Sequence, residues 1–527
     1  MSVSLLLDMA ASSDPDRTAV VGDHVRWTAA RLAELADGGG ARIAGTPCRS
    51  VAYLGTGGPM LPLLVFASAR AGVPLTPLNY RLGGAALRDL LDRLDTPLLV
   101  CDSEYLDVVA EFDGVTIASE EFAEQAAHGG AVENPGAGAV ASGGGRAGDG
   151  EIAVVLFTSG TTSAPKAVEL THTNLVSYVT GTVEFASAAP GDAALISVPP
   201  YHIAGVSAVL SNLYAGRKIV YLRQFDPARW LRLVAGERIT SATVVPTMLD
   251  RIVTELERAD ADLSSLRTLA YGGAKVALPL LRRALELMPE VGFVNAYGLT
   301  ETSSTITVLG PQDHRAALAA TDPEVARRLA SVGRPVPGIE LQIRDEQGAV
   351  LPPGQTGELF VRGPQVSGRY TGLGSVLDAE GWFPTRDVAT LDAEGYLFLG
   401  GRCDDTIIRG GENIAPAEIE DVLVEHEAVR EVAVVGVEDA GWGQIIVAVV
   451  VPSGERPPDP EDLRAFVRAR LRGSRTPDRV VFRDELPVTP TGKVLRRTLV
   501  AELRQDPAHQ PDRRWPGGST PTTVPAP

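Results

Sequence analysis

Val155-Leu-Phe-Thr-Ser-Gly-Thr-Thr-Ser-Ala-Pro-Lys-Ala-Val168 joins an apolar run to a hydroxyl-rich, glycine-bearing loop that ends in a lysine. The run predicts a buried strand, and the loop has the composition of a phosphate cradle. Backbone N–H groups around Gly160 and the hydroxyls of Thr158, Ser159, Thr161 and Thr162 can surround a polyphosphate, with the compact charge of Lys166 at the exit. It is not a Walker A element, because Lys166 follows Pro165 and precedes Ala167 where that motif needs Gly and then Ser or Thr. A plain surface turn shares these features, so the loop decides little until its neighbours are read.

Outward from it, short apolar strands alternate with helical periodicity. Val51-Ala-Tyr-Leu54 and Leu98-Leu-Val-Cys101 precede it, and strands near Ala194-Leu-Ile-Ser197, Thr243-Val-Val245, Thr268-Leu-Ala270 and Gly292-Phe-Val294 follow, each feeding a loop. This rhythm predicts an α/β fold, with a large N-terminal domain (1–401) of parallel or mixed sheets and helices. Ligand sites in such sheets lie at the strand ends. Period-2 alternation in Glu340-Leu-Gln-Ile-Arg344 and Gly357-Glu-Leu-Phe-Val361 predicts a small β-rich subdomain within 340–400. After Gly400-Gly-Arg402 comes a compact αβ pattern: helix 417–425, strands 431–437 and 445–451, helix 459–471, strand 480–482 and a final helix from about Lys493. It predicts a separate C-terminal domain (402–505). The Gly/Ala/Ser stretch 129–150 reads as a surface excursion, and the Pro/Thr-rich 506–527 as a disordered tail.

With 527 residues, 44% of them hydrophobic, the chain exceeds what one core usually supports. A net charge of −18 argues against a general nucleic-acid partner. Cys48, Cys101 and Cys403 lack metal-ligand spacing and fit a reducing compartment. The first residues lack a basic n-region and a long apolar run, so a cytoplasmic location is expected. Met60–Val73 is interrupted by Pro62, Arg70 and Gly72, which predicts a core helix rather than stable membrane insertion. Only four of the 48 basic residues are lysines (Lys166, Lys218, Lys275, Lys493), so a retained lysine suggests a position needing a point charge.

Eight motifs then occur in a fixed order: TSGTTSAPKAVELTH, PPYHIAG, YGGAKV, NAYGLTE, GELFVRG, WFPTRDVATLDAEGY, GRCDDTIIRGGENIAPAEIE and TPTGKVLRR. Through them the chain, from about residue 10 to 503, resembles the adenylate-forming (AMP-binding) superfamily, in its acyl-CoA and aryl-CoA synthetase branch. The resemblance implies a mobile C-terminal domain and a two-step reaction. A carboxylate attacks the α-phosphorus of ATP to give acyl-AMP and pyrophosphate, and the thiol of CoA then displaces AMP. The first step brings anions together, hence the expectation of Mg²⁺ and lysine charge.

Carried over motif by motif, the resemblance assigns Thr158, Ser159, Gly160, Thr161, Thr162 and Lys166 to the β- and γ-phosphates. Gly272, Gly273 and Ala274, with Asn295, Ala296, Tyr297 and Gly298, would frame the adenine, Tyr297 stacking on it. Thr300 would touch the α-phosphate and Glu301 would hold Mg²⁺ through oxygen. Asp387 would accept the ribose hydroxyls, and Arg402 would support ribose or phosphate. Lys493 would bridge the substrate carboxylate and the α-phosphate, His202 would stand between carboxylate and acyl pocket, and Asp404 would be the hinge. Tyr201, Ala204, Val206, Thr247, Tyr271, Ser303 and Ser304 would line an uncharged acyl pocket, favouring an apolar or aromatic carboxylic acid. The segment Pro200–Val206 holds no aspartate for an amino group, which disfavours a free amino acid. Arg409, Gly410 and Gly411 would line the path of the CoA arm, with Trp442 and Arg475 at its nucleotide.

Three positions depart from the family pattern: Ser163, Ala167 and Arg386 stand where glycine is usual. If position 163 needs a positive φ, a Cβ there costs on the order of 1 kcal/mol. Two alternatives to a complete acyl-CoA synthetase follow. One is an adenylation-impaired ligase that passes a pre-formed acyl-adenylate to CoA; the other is a catalytically silent acyl- or nucleotide-binding protein, against which Glu301, Asp387, Arg402 and Lys493 argue. Free CoA is the expected acceptor, with a carrier protein as the alternative thiol.

Overall fold

The computed structural model describes residues 1–22, 24–128, 151–158, 165–439, 441–454, 456–471, 473–489 and 492–505. The readings of 129–150 as an excursion and of 506–527 as a tail lie outside the described residues, as does the loop 159–164. The chain forms two compact units that meet in sequence at Asp404 and Asp405.

The first unit holds three sheets. One has eight strands, six of which run in the order Lys166–Thr171, Ile152–Thr158, Leu75–Leu78, Ser50–Leu54, Pro97–Cys101 and, at the edge, Val115–Ala118. The strand read from Val155 onward is therefore Ile152–Thr158, and its partner begins at Lys166: the two pair antiparallel in the register Thr158↔Lys166. Thr158 and Lys166 are thus the last paired residues of the two strands. The second sheet has nine strands, with the parallel series Gly292–Leu299, Thr268–Gly272, Ser241–Val244, Ala193–Ile196 and Lys218–Tyr221 at its centre. Four antiparallel strands, Glu340–Arg344, Thr356–Arg362, Phe383–Leu391 and Leu397–Arg402, form the β-rich subdomain.

Parallel strands covered on both faces read as continuous apolar runs, which is why Ser50–Leu54 is buried at every position. Helix Met60–Ala71 is buried from Met60 through Ala69, so it is a core helix. Among the described residues no helix is long and apolar enough to cross a membrane.

In the second unit, alternate residues of Gly443–Pro452 face opposite ways. Ile446, Ala448 and Val450 pack with Ile419, Leu423, Leu463 and Val467 of helices Pro416–Leu423 and Pro460–Arg468. Val447, Val449 and Val451 pack with Leu499 and Leu503 of helix Arg496–Gln505. That last helix begins at Arg496, three residues later than the pattern suggested. The amides of Gly492 and Lys493 bond to Thr489 instead (2.8 and 3.0 Å), and the Arg496 guanidinium anchors the first turn on Glu420 and Val434 (both 2.6 Å).

Trp230, on helix Pro227–Gly236, is wholly buried among Val220, Leu231, Val234 and Leu249. Trp230→Ala is expected to lower the stability of the first unit by about 3–5 kcal/mol, read from the shift of its denaturant transition.

Candidate active site

The candidate residues of the first unit gather where the parallel strands end. Gly272 closes its strand opposite Ala296, and a Cβ on Gly272 would lie 2.3 Å from the Ala296 carbonyl, so only glycine allows this approach. Gly273 and Ala274 follow in the loop, and Asn295 is tied to the Ser331 carbonyl through Nδ2 (3.2 Å).

The next strand runs Gly292–Leu299 and turns back at once into Ser304–Leu309. Between them Thr300–Thr302 make one 3₁₀ turn, and Ser303 and Ser304 have φ of 56° and 112°. Two consecutive non-glycine residues in this region hold only when the surroundings over-determine them. Thr302 Oγ1 accepts the Leu299 amide at 3.0 Å, and Gln365 Nε2 donates to the carbonyls of Thr302 and Thr305 (2.9 and 2.8 Å). The Ser367 amide donates to the Glu301 carbonyl at 2.8 Å. Gly298 faces Ser304 so closely that a Cβ would lie 1.7 Å from its carbonyl oxygen.

This turn projects Glu301, whose Oε1 accepts the Tyr370 hydroxyl at 2.9 Å. Lys166 Nζ lies 5.4 Å from the centroid of the same Tyr370 ring. One tyrosine therefore joins Lys166, at the start of its strand, to the carboxylate of the NAYGLTE motif. Burial, then the Glu301 charge, push the Tyr370 phenol above its ordinary pKa, so it stays a donor at neutral pH.

A second group stands beside it. The Tyr297 hydroxyl donates to Asp387 Oδ2 at 2.5 Å, and Arg402 Nη1 donates to Asp387 Oδ1 at 2.8 Å. Asp387 and Arg402 are register partners on adjacent strands, which fixes the pair. Burial opposes the Arg402 charge, but Asp387 more than offsets it and holds the guanidinium above its usual pKa. Tyr297 is raised by burial and by Asp387. Asp387 keeps acceptor capacity, since a carboxylate has about four lone-pair sites.

His202 caps the N-terminal end of helix Ile203–Ala215 and lies 4.5 Å, ring to ring, from Tyr201. Its Nε2 and the Tyr201 hydroxyl are buried with no hydrogen-bond partner among the described residues. Burial, then the Arg81 charge, lower the His202 pKa to about 4, so the imidazole is neutral at physiological pH. Ala204 is half-buried, Val206 belongs to the core, and Thr247 is exposed at the start of helix Pro246–Leu256. Two residues expected in the acyl pocket have committed hydroxyls. Tyr271 packs on Phe293 and bonds His314 Nε2 at 2.9 Å; His314 Nδ1 lies 2.7 Å from the Gly310 carbonyl, so Nδ1 carries the proton and Nε2 accepts. Ser303 is fully buried and donates to the Gln365 carbonyl at 2.8 Å. The Ser304 hydroxyl meets Ser207 at 3.2 Å.

Of the three departures, Ser163 lies outside the described residues. Ala167 sits in regular strand opposite Phe157, its carbonyl accepting the Thr371 amide at 2.9 Å, where a Cβ meets no backbone penalty. Arg386 has φ 63° and carries the strain that a glycine would not. Asp404 bonds its guanidinium at 3.1 Å.

In the second unit Arg409, Gly410 and Gly411 form the turn between strands Ile407–Arg409 and Glu412–Ile414. Arg409 is bonded to Asp478 at 2.6 Å and stacks 4.7 Å from Trp442, which is exposed. Arg475 joins the group by pairing with Glu412 and Glu418. Lys493 is exposed on its turn. Sequence reasoning missed Tyr370, Gln365 and the packing of Tyr80 on Tyr201 (5.5 Å) with Arg81 close by. No local periodicity marks the first two, since each acts on a turn more than 60 residues away.

Strand-end glycines, a lysine and a carboxylate joined through Tyr370, and a buried Asp387 form the constellation of an adenylate-forming enzyme. Residues 7–371 match the AMP-binding enzyme family and 418–493 its C-terminal domain, and the chain belongs to that family, in its acyl- and aryl-CoA synthetase branch. A feruloyl-CoA synthase from Amycolatopsis sp. is 36% identical, over 88% of this chain and 91% of its own. A fatty acid–[acyl-carrier-protein] ligase from Streptomyces coeruleorubidus is 33% identical, over 86% of each. The o-succinylbenzoate CoA synthetase of Bacillus subtilis, in complex with its acyl-adenylate intermediate, matches with a TM-score of 0.79 at 28% identity, covering 94% of this chain and 97% of that one.

Because His202 is held neutral while the unfolded chain's histidine titrates near pH 6.5, the unfolded state binds the extra proton as pH falls. Stability is full above about pH 6.5 and falls toward pH 4, by on the order of 2–3 kcal/mol from this residue. The difference between denaturation curves of the native chain and His202→Phe across that window measures it, and flat differences would refute the buried neutral imidazole.

Proposed function

We propose that this protein is a carboxylic acid–CoA ligase that forms acyl-AMP from ATP and the acid, then acyl-CoA. The observation that carries the reading is the Lys166–Tyr370–Glu301 group standing beside the Tyr297–Asp387–Arg402 group at the strand ends.

In the first step a substrate carboxylate oxygen bonds to the α-phosphorus of ATP as the bond to pyrophosphate breaks. Lys166 and the hairpin hydroxyls bind the leaving β- and γ-phosphates, and Lys493 offsets the charge between carboxylate and α-phosphate. Asp387 accepts from the ribose hydroxyls, with Arg402 holding it in place. Tyr297 flanks the base, framed by Gly272–Ala274. Thr300 bonds the α-phosphate. Glu301 would hold Mg²⁺ through the carboxylate oxygen that Tyr370 leaves open, and the ion would neutralise charge on the triphosphate. In the second step the CoA sulfur attacks the acyl carbonyl, the thiol proton is lost and AMP leaves. Arg409–Gly411, Trp442 and Arg475 receive CoA, and Asp404 is the hinge between the steps.

An apolar or aromatic acid is the proposed substrate. The neutral His202 and Tyr201 offer hydrogen-bonding atoms without a charge, and the similar Amycolatopsis protein is named for an aromatic acid. The regular backbone at Ala167 removes one ground for an impaired first step. Free CoA is the proposed acceptor; the similar Streptomyces ligase is named for a carrier protein, so both thiols belong in the assay.

A screen of carboxylic acids with ATP and either thiol, scored by thioester mass, is expected to give acyl-CoA from an aromatic or apolar acid. ATP–pyrophosphate exchange with that acid should be robust; its absence alongside thioester formation from synthetic acyl-adenylate would instead support the adenylation-impaired reading. Tyr370→Phe leaves the Glu301 turn in place but removes one bond to its carboxylate. Adenylation is expected to slow about tenfold, with acyl-adenylate thioesterification changed less than twofold, in single-turnover measurements.

A further inference from the structure

Arg386 directly precedes Asp387 on strand Phe383–Leu391, in a left-handed conformation (φ 63°) that bulky residues rarely adopt. Such an outlier survives where its surroundings hold it, and the reason for keeping a side chain there is sought in what the side chain does. Its guanidinium spans two carboxylates: Nη1 lies 3.3 Å from Glu358 Oε2, and Nη2 lies 3.1 Å from Asp404 Oδ1. Glu358 belongs to the neighbouring strand Thr356–Arg362. Asp404 is the last residue of the first unit, within the single 3₁₀ turn Cys403–Asp405 through which the chain leaves it.

The segment is therefore fastened to the Asp387 strand twice. Arg402 bonds Asp387 on the inner side, and Arg386 bonds Asp404 on the outer. The inner bond is largely buried and belongs to the nucleotide site. The outer one is half-exposed, with side-chain exposures of 52% and 40%, so it can open without unfolding anything. Exposed pairs are individually weak, and the one bond from Arg386 to Asp404, with Glu358 steadying the guanidinium, biases a local equilibrium by about two- to fivefold. Arg386 reaches no group assigned here to substrate.

We propose that Arg386 is a positioning residue for the two-step reaction: the Glu358–Arg386–Asp404 bridge holds the exit segment in one backbone conformation, and the ease with which it opens sets the balance between the half-reactions. The proposal rests on the ligase reading and on Asp404 as the hinge. Releasing a restraint that favours one conformer moves population to the other, so the half-reaction served by the held conformer slows while the other speeds up.

Cys403 supplies a readout independent of activity. It is partly exposed, whereas Cys48 and Cys101 are buried. Arg386 lowers the pKa of the Cys403 thiol, which burial and Glu358 raise. Deleting the cation therefore slows thiol labelling by itself, and faster labelling reports a loosened segment.

Arg386→Gly suits the left-handed backbone, so folding is retained. In it, Cys403 is expected to react about threefold faster with a neutral thiol reagent at fixed mildly alkaline pH. Single-turnover adenylation and single-turnover thioesterification of synthetic acyl-adenylate are expected to move in opposite directions, each by about threefold. Asp404→Asn should reproduce the opposed half-reaction rates, its labelling being sped in any case by loss of the Asp404 charge that raises the Cys403 pKa, and Arg386→Lys should soften both effects of Arg386→Gly. Unchanged or slower labelling, or half-reaction rates that stay constant or move together, overturns the proposal. If the native protein performs neither half-reaction, the ligase reading fails, and the labelling result alone then decides whether the bridge restrains the segment.

Discussion

The turn from Gly298 to Ser304 is the constraint on which the site depends. Reversing a central strand in so few residues forces Ser303 and Ser304 to positive φ and brings two backbones within one atom's width at Gly298. Buried backbone groups released by such a turn must find partners elsewhere. Thr302, Gln365 and Ser367 supply them, and the same segment continues to Tyr370, which grips the carboxylate the turn presents. The strain and the hydrogen bonds are thus two sides of one arrangement: Glu301 is oriented before any ligand arrives, so orientation need not be gained during reaction.

The charges around it are arranged in two pairings. Lys166 and Glu301 share Tyr370, while Arg402 and Asp387 share Tyr297 through the carboxylate. In both, a phenol raised by burial and by a neighbouring carboxylate remains protonated and donates. In a chain with a net charge of −18, Glu301 and Asp387 thus each have a donor turned toward them.

Much of this was legible in the sequence because it is local. Strand and helix periods gave Ser50–Leu54, Pro97–Cys101, Glu340–Arg344 and the alternating faces of Gly443–Pro452, each within a residue or two. The candidate roles of Glu301, Asp387 and Arg402 come from the resemblance of their motifs to the family's, and that of Lys166 also from the composition of its loop. Tyr370 and Gln365 were not legible, because their roles exist only across a fold that joins distant segments. The departures from glycine show the same limit: Ala167 and Arg386 look alike as substitutions, yet one lies in ordinary strand and the other at positive φ, a difference of backbone that no residue type discloses.

The contrast between the Glu301 turn and the first turns of helices Ile203–Ala215 and Pro246–Leu256 bears on how this chain can diversify. At Gly298 no other side chain fits, and at Gln365 a change would strand two carbonyls, so drift there is closed. Thr247 and Ala204 stand on the first turns of two helices, the one exposed and the other half-buried. Side chains on those helix ends can therefore vary more freely than the residues that hold the Glu301 turn, a division of labour within one scaffold.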